Sequence, residues 1–431
     1  MSALDKSLIV VGAGPMGLAA AYFAGKAGWK VEVVEAGPKG GGMAAHFDFD
    51  GLSLERFYHF CCRSDVDTSA LLAELGLPPI RWVRTRMGFF VDGKLYPWGD
   101  PVALLRFPLM SFVEKVRYGL QAYLSTKRSD WRRLDRVSAA DWFRAWCGTR
   151  VYDKLWRPLF ELKFYEHTET ISAAWIWQRI KRLGRSRRSL MQEELGYIEG
   201  GSEALVTALV AAIQRQGGQV HLSTPARRFL IENDQVRGVE TADGREVRAT
   251  QVISTIAMPY VTAMLDDRPD LQAAYAGFEN IGVVCVIHHL ARSVSRNFWV
   301  NISDPQIGIP GFVEFSNLRP LDRTIVYVPY YMPWSNPAFQ RPDEAFIAES
   351  FGHLRRVNPQ LQDSDRIASH VGRLKHAQPV CEVGFGDRVP NPQTSVAGLQ
   401  IADTSFYYPE DRGVSESIAY ARRMVADLPR G

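Results

Sequence analysis

The chain has 431 residues, 46% of them hydrophobic and 23% charged, with a formal net charge of +4. That length carries two or three domains around a sizeable core, and the composition excludes a disordered or collagen-like chain. The small net charge argues neither for nor against nucleic acid. The five cysteines lie in no CxxC or Cys/His metal spacing, so reduced thiols are expected, with no metal site and no disulfide framework. No window of about twenty apolar residues is present, and no secretory h-region precedes the first motif. A cytoplasmic protein is expected, and membrane association depends on surface features described below.

Leu8 to Val11 reads as a short strand. Gly12-Ala-Gly14-Pro15-Met16-Gly17 then opens an alanine-rich helix, and Lys30 to Val34 forms a second strand ending on Glu35. In a dinucleotide site each glycine has a physical task. Gly12 permits the tight strand-to-helix turn, Gly14 lets the backbone approach a pyrophosphate, and Gly17 lets the helix pack closely on the sheet. The helix N-terminus supplies unpaired N–H groups for the phosphates. Glu35, eighteen residues after Gly17, offers an acceptor to a ribose diol and disfavours a 2′-phosphate. The bland alternative is a glycine-containing turn that binds nothing. The following cluster, Gly40-Gly41-Gly42-Met43, can hold backbone close to a second part of the same ligand.

His46 to Gly51 reads as a hairpin turning at Asp50-Gly51. Residues 54–65, LERFYHFCCRSD, either line a pocket or pack half-buried. A helix is expected over 68–76, and strands over 82–98 with a turn at Asp92-Gly93. Within 101–125, Phe112, Val116, Leu120 and Tyr123 share one helical face. The ordinary outcome of such a stripe is core packing; the sharper one is a membrane-facing or lipid-substrate entrance. Two basic clusters follow, Lys127, Arg128, Arg132, Arg133 and Arg136, then Lys181, Arg182, Arg185, Arg187 and Arg188, around a tryptophan-rich helical region. They read as solvated faces. The alternative is attraction of substrate phosphates or an anionic bilayer. No recognised module accompanies them, so no nucleic-acid partner is expected.

GYIEGGS at 196–202 precedes a helix that ends before Gly217-Gly218. Residues 219–255 read as a run of short strands, a return to a nucleotide-binding half after a long insertion. Strands are expected at 283–290 and 324–331, and a helix at 343–357. The tail gives a strand over 399–402, a turn, and a helix from Val414. Asp403 falls at that strand's C-terminal end, where ligands bind in open α/β sheets. Gly413 precedes a helix N-terminus, which suits a polarised carbonyl edge.

In this order, GAGPMG through Glu35, GGM at 41–43, the segment from STPARRFLIENDQVRGVETADG to VISTIAMP, and GLQIADTSFYYPEDRG resemble the flavin-containing amine oxidase superfamily. That group includes protoporphyrinogen oxidases, phytoene-type desaturases and, more distantly, UDP-galactopyranose mutases. The resemblance implies an α/β fold in which a Rossmann-like FAD/NAD(P)-binding domain carries an inserted mixed α+β substrate domain. Residues 1–60, 195–260 and 380–431 would form the FAD domain, and 61–194 and 261–379 the substrate domain. Gly12, Gly14, Pro15, Met16 and Gly17 would hold the pyrophosphate, and Glu35 and Ala36 the adenosine ribose. Gly41, Gly42 and Met43 would lie under the FAD. Ala226 would meet the adenine, Asp403 the ribityl or pyrophosphate region, and Gly413 and Val414 the flavin ring. Met43 stands where oxidases often have arginine, and Ala402-Asp403 replaces the commoner Gly-Asp. No cysteine falls in a covalent-attachment motif, so non-covalent FAD is expected.

The chemistry implied is transfer of a hydride from a C–H bond of a hydrophobic or lipid-like small molecule to flavin N5. His59, Lys163 and Tyr330 are the candidates for a catalytic group. Two alternatives stand beside it: a mutase-like use of reduced FAD on a nucleotide-sugar, and a non-catalytic flavin-binding protein. Peripheral membrane contact belongs with the lipid-like substrate.

Overall fold

The computed structural model describes residues 6–189 and 192–429. Strand β1 (Ser7–Val11) is buried along its whole length, as expected for a parallel strand covered by helices on both faces. It pairs in parallel with β2 (Lys30–Val34) on one side. β3 (Gln219–His221) extends the sheet beyond β2. On the other side β1 pairs with β4 (Gln251–Ser254), and β5 (Leu399–Ile401) closes that edge. The spatial order is therefore β3-β2-β1-β4-β5. One sheet is assembled from three stretches far apart in the chain.

Helix α1 (Pro15–Lys26) lies between α2 (Ser202–Arg215) and α3 (Val414–Ala426). Ala19, Ala20, Ala21 and Ala24 are fully buried on it. Small side chains let one helix be covered from several directions, which explains the alanine-rich composition after Gly17. An antiparallel unit of Ala226–Glu232, Gln235–Thr241 and Glu246–Arg248 follows β3. Its first turn places Asn233 and Asp234 at φ 51° and 54°, the left-handed pair that a tight hairpin requires.

A second sheet has seven strands in the order Arg366–Pro379, Asn280–Leu290, Thr324–Met332, Gly311–Glu314, Trp299–Ile302, Met87–Val91 and Lys94–Trp98. All its pairs are antiparallel except Trp299–Ile302 with Met87–Val91. Strand Thr324–Met332 shows the two-residue period clearly. Ile325, Tyr327 and Tyr331 face a core shared with the helical insert, whereas Val326, Val328, Tyr330 and Met332 face helix Asp343–Val357. The hairpin turning at Asp50-Gly51 forms from His46–Phe49 and Leu52–Glu55, with φ 56° and 75° at the turn.

The helical insert departs from the core-packing expectation at helix Phe112–Lys127. Phe112 is 72% exposed, Val116 50%, Leu120 47% and Tyr123 54%. The face turned inward is polar. Gln121 and Ser125 are its buried residues, Cys147 Sγ donates to Gln121 Oε1 at 3.3 Å, and Trp177 Nε1 donates to the Ser125 carbonyl at 3.1 Å. Indole and thiol donors need acceptors when buried, so this helix docks through its polar side and leaves the apolar stripe outside. Among the described residues no helix is long and apolar enough to cross a membrane.

Candidate functional site

The sequence-predicted nucleotide residues converge at the C-terminal ends of the parallel strands. Gly12 has φ +100°, and a Cβ on Gly17 would lie 1.9 Å from the Gly12 carbonyl oxygen, so the turn and the first helical residues pack backbone to backbone. Around Gly14 the surroundings are different: a Cβ there would meet nothing within 4 Å. The helix behind it starts with Pro15 and has no side-chain cap and no acid in its first turn. Met16 turns its side chain into the core, where Tyr407 Oη lies 3.4 Å from its sulfur; only its backbone stays with the turn.

Glu35 accepts from Ala13 N–H and Gly37 N–H, both at 2.7 Å. The carboxylate thus ties the glycine turn to the end of β2 and keeps lone pairs for further donors. Ala36 beside it is exposed. The second glycine cluster folds against the first. Gly41 N–H donates to the Ala13 carbonyl at 2.7 Å, Gly41 has φ +111°, and a Cβ on Gly42 would lie 3.1 Å from Gly14 Cα. Thr224 N–H donates to the Glu35 carbonyl at 2.7 Å, bringing the segment that leads to Ala226 beside β2. Open space at Gly14, an uncapped helix N-terminus and a paired glycine floor fit a diphosphate-linked dinucleotide.

Asp403 sits at the end of β5 and is buried. Its carboxylate accepts from Met258 N–H at 2.9 Å and Ser405 N–H at 2.8 Å, capping two helical segments at once. Burial nonetheless pushes it above the ordinary aspartate range. It braces the strand ends and does not line the cavity that follows.

That cavity, about 1000 Å³ in volume, begins at Met43, Gly413 and Val414. It is walled by Tyr58, His59, Trp175 and Tyr331 and reaches Tyr118, Gly119, Ala122 and Tyr123 on helix Phe112–Lys127. Gly413 is the N-cap of α3, again without a side-chain cap. Burial raises the Glu416 carboxyl in the first turn of α3 to about 7, although Arg182 opposes the shift. Residues 57–61 all line the cavity, which resolves the two readings of FYHFCC in favour of a pocket. Glu55, which also lines it, is buried and accepts from Ser202 N–H at 3.1 Å, with His46 Nε2 at 3.5 Å. Burial would raise its pKa, but the hydrogen bond and charge of His46 outweigh it and hold the carboxyl at about 2.

The three catalytic candidates divide. His59 lines the cavity with its Nδ1 buried and unpartnered, and burial lowers its pKa. Lys163 also lines it, with Nζ 4.7 Å from the Tyr331 ring centroid and 5.1 Å from that of Trp175. Burial, then the charges of Arg179 and Arg412, hold the amine well below the usual lysine value. Tyr330 requires correction. It points to the opposite face of its strand, against Phe346, and its neighbour Tyr331 takes the cavity position. Burial and the Tyr331 hydroxyl push the facing Tyr58 phenol well above its ordinary range.

The second basic cluster is corrected as well. Arg182 is no solvated residue: its guanidinium pairs with buried Asp65 at 2.7 Å and approaches Asp411 at 3.9 Å. Arg179, one turn earlier, lies 3.3 Å over the Trp175 ring and pairs with Asp411 at 2.6 Å. Trp175, Arg179 and Arg182 fall on one helical face. That spacing was the available signal, hidden by the neighbouring surface arginines.

The profile described as "Flavin containing amine oxidoreductase" matches residues 17–390. The chain belongs to this family. The family is one of flavin-dependent oxidoreductases, which agrees with the dinucleotide floor and the cavity that begins beside it at Met43. The chain is 28% identical to a phytoene desaturase of Fusarium fujikuroi over 296 residues, 60% of this chain and 50% of that protein. It spans between 44% and 62% of the length of the curated relatives it matches. Among solved structures, reduced UDP-galactopyranose mutase matches at TM-score 0.76 and 14% identity, covering 99% of this chain and 94% of the other. An oxidoreductase of Methanosarcina mazei matches at TM-score 0.74 and 17% identity, over 98% and 100%. At these identities the likeness is one of fold.

Proposed function

We propose that this family member binds FAD non-covalently and takes a hydride from a C–H bond of a hydrophobic, lipid-like small molecule. One observation carries the reading: a large aromatic cavity begins at Met43, the residue after Gly42 of the glycine floor, and at the α3 N-terminus, and reaches the helix with the exposed apolar stripe. A dinucleotide site connected to such a cavity suits a cofactor that reaches past its own phosphates to an apolar substrate. The discontinuous FAD domain and the inserted substrate domain expected from the sequence belong to the same proposal.

When bound, the flavin supplies the two-electron acceptor. The chain's own residues do the rest. The α1 N-terminus and Gly14 would hold the pyrophosphate, and Glu35 would accept from the ribose. Ala226 would meet the adenine, and Met43, Gly413 and Val414 would border the ring. Asp403 acts from beneath by fixing the strand ends. Tyr58, Trp175 and Tyr331 orient the substrate and exclude water. His59 Nδ1, buried and unpartnered on the cavity wall, would be the site able to hold a proton. A mutase-like use of reduced FAD on a nucleotide-sugar is the second reading, favoured by the cationic side chains at the cavity wall. Its signature is activity confined to pre-reduced enzyme.

The substrate reaches the cavity from a membrane surface. Val102, Leu105, Phe112, Val113, Val116, Leu120, Tyr123 and Leu124 are exposed on two adjoining helices. Arg106, Lys115, Lys127 and Arg128 stand on the same segments. Apolar residues flanked by cations suit an anionic bilayer interface. The test of the whole reading is the visible spectrum of the purified protein followed by anaerobic mixing with long-chain unsaturated lipids. A flavin spectrum that bleaches with one lipid class is expected. A colourless protein that takes up no FAD overturns the reading.

A further inference from the structure

The cavity wall beside α3 carries more positive than negative charge. Lys163, Arg179, Arg182 and Arg412 all face it. Asp411 pairs with Arg179 and Asp65 with Arg182, and Glu416 in the first turn of α3 also faces Arg182, with burial raising its carboxyl to about 7. Among the described residues neither Lys163 nor Arg412 has a carboxylate within ion-pair distance. The Arg412 guanidinium spends one donor on the Ala377 carbonyl, and Lys163 rests against the faces of Tyr331 and Trp175. Aromatic faces stabilise a cation but do not neutralise it.

Unpaired charge in an apolar cavity is costly. A purely structural core would replace it or match it with acid. Here the excess lies at the surface a ligand must touch, and the donors left over are the planar fork of Arg412 and the compact ammonium of Lys163. Both are suited to charge-assisted hydrogen bonds with a carboxylate or phosphate.

Resting on the flavin reading above, we propose that the cavity takes an amphipathic anion. A carboxylate or phosphate group binds at Lys163 and Arg412, while its hydrophobic body lies along Trp175 and Tyr331 toward helix Phe112–Lys127. Arg179 and Asp411 are positioning residues, because their pairing fixes the wall from which Arg412 extends. Burial and the neighbouring arginines lower the proton affinity of Lys163; an anion beside it would favour the ammonium.

The negative charge has two sources, an ionised group on the substrate or the cofactor itself once reduced. The experiment separates them. Oxidised holoprotein is titrated with dodecyl phosphate, dodecanoate, dodecanol, dodecyltrimethylammonium and uridine diphosphate. Binding is read from the flavin spectrum and from quenching of tryptophan emission. The two dodecyl anions are expected to bind at least about tenfold more tightly than dodecanol, a difference of about 1.4 kcal/mol, and the cation more weakly still. In Lys163→Met and Arg412→Gln that preference falls toward unity, while dodecanol affinity stays.

Equal binding of anions and alcohol overturns the proposal. So does an anion preference unchanged in both variants together with a lowered flavin reduction potential, which would assign the charge to the cofactor. Tighter binding of uridine diphosphate than of dodecyl phosphate overturns the amphipathic class and supports the nucleotide-sugar. The wild-type series needs no variant to fold. The flavin band in the same samples reports separately whether the cofactor reading stands.

Discussion

Gly14 and Gly17 belong to one turn but answer to different constraints. At Gly17 a methyl group would collide with the Gly12 carbonyl, so Gly17→Ala acts on the apoprotein. A loss of about 1–3 kcal/mol is expected from overpacking, measured by urea unfolding without FAD. Gly14 has extended backbone, with φ −71° and ψ 176°, and open space ahead of it. Gly14→Ala therefore keeps apoprotein stability within about 0.5 kcal/mol and weakens FAD binding by at least about tenfold, since the methyl fills the approach to the pyrophosphate. Equal FAD affinity in Gly14→Ala would remove the turn from the cofactor site. Lys163 gives a second residue-scale test. Its folded pKa lies below the unfolded one, so between the two the unfolded chain holds more protons and stability rises with pH. Arg179, Arg412 and Asp411 face it, together with the Trp175, Tyr331 and Phe164 rings. Replacing it by methionine should raise stability below the ordinary lysine value and flatten that slope; an unchanged slope would show that Lys163 remains charged when folded. At this scale Gly12 to Glu35 was legible because backbone sterics restrict the residue types allowed. The choice between Tyr330 and Tyr331 was not, because both lie in one apolar strand whose two faces are buried in different cores.

Among elements, helix Phe112–Lys127 shows what periodicity can and cannot tell. The apolar stripe correctly indicated a helix, and Ser111 with Glu114 closes a capping box at its start. Periodicity carries no information on whether a partner covers the stripe. The inward face was decided by Trp177 and Cys147, which needed acceptors and found them at Ser125 and Gln121. A triple replacement, Phe112→Ser, Val116→Ser and Leu120→Ser, tests the exposed face. These side chains are largely outside the core, so the thermal midpoint should move little. Binding to vesicles containing phosphatidylglycerol, measured by sedimentation, should fall by at least about tenfold, because each buried methylene contributes about 0.8 kcal/mol. Full vesicle binding by the variant would place the membrane contact elsewhere or nowhere. Helix Ala173–Arg185 is the opposite case. Its arginines looked like a solvated run, yet Arg179 and Arg182 reach inward to acids from other parts of the chain, Asp411 and Asp65, which local sequence cannot pair with them.

For the molecule as a whole, the parallel sheet depends on distant segments returning to one place. β1 and β2 come from the first 34 residues, β3 and β4 from 219–254, and β5 from 399–401. The sequence showed these returns because each has a strand-then-turn signature. The internal packing of the insertions remained hidden, since their seven-stranded sheet is built from pairings separated by long stretches of chain. A cofactor lying across the ends of β1, β2 and β5 would bind the folded arrangement and not the unfolded chain, and would therefore stabilise it by mass action. At a thousandfold excess over its dissociation constant the gain is about 4 kcal/mol. Removing FAD should thus lower the thermal midpoint by several degrees, and re-adding it should restore the midpoint in proportion to the logarithm of its concentration. AMP alone should recover part of the shift through Glu35 and the segment leading to Ala226, and FMN alone a smaller part through Gly413 and Val414, because neither spans both ends. If AMP and FMN together matched intact FAD, the two ends would act as independent sites, and the glycine floor joining them would have no role in holding the sheet together.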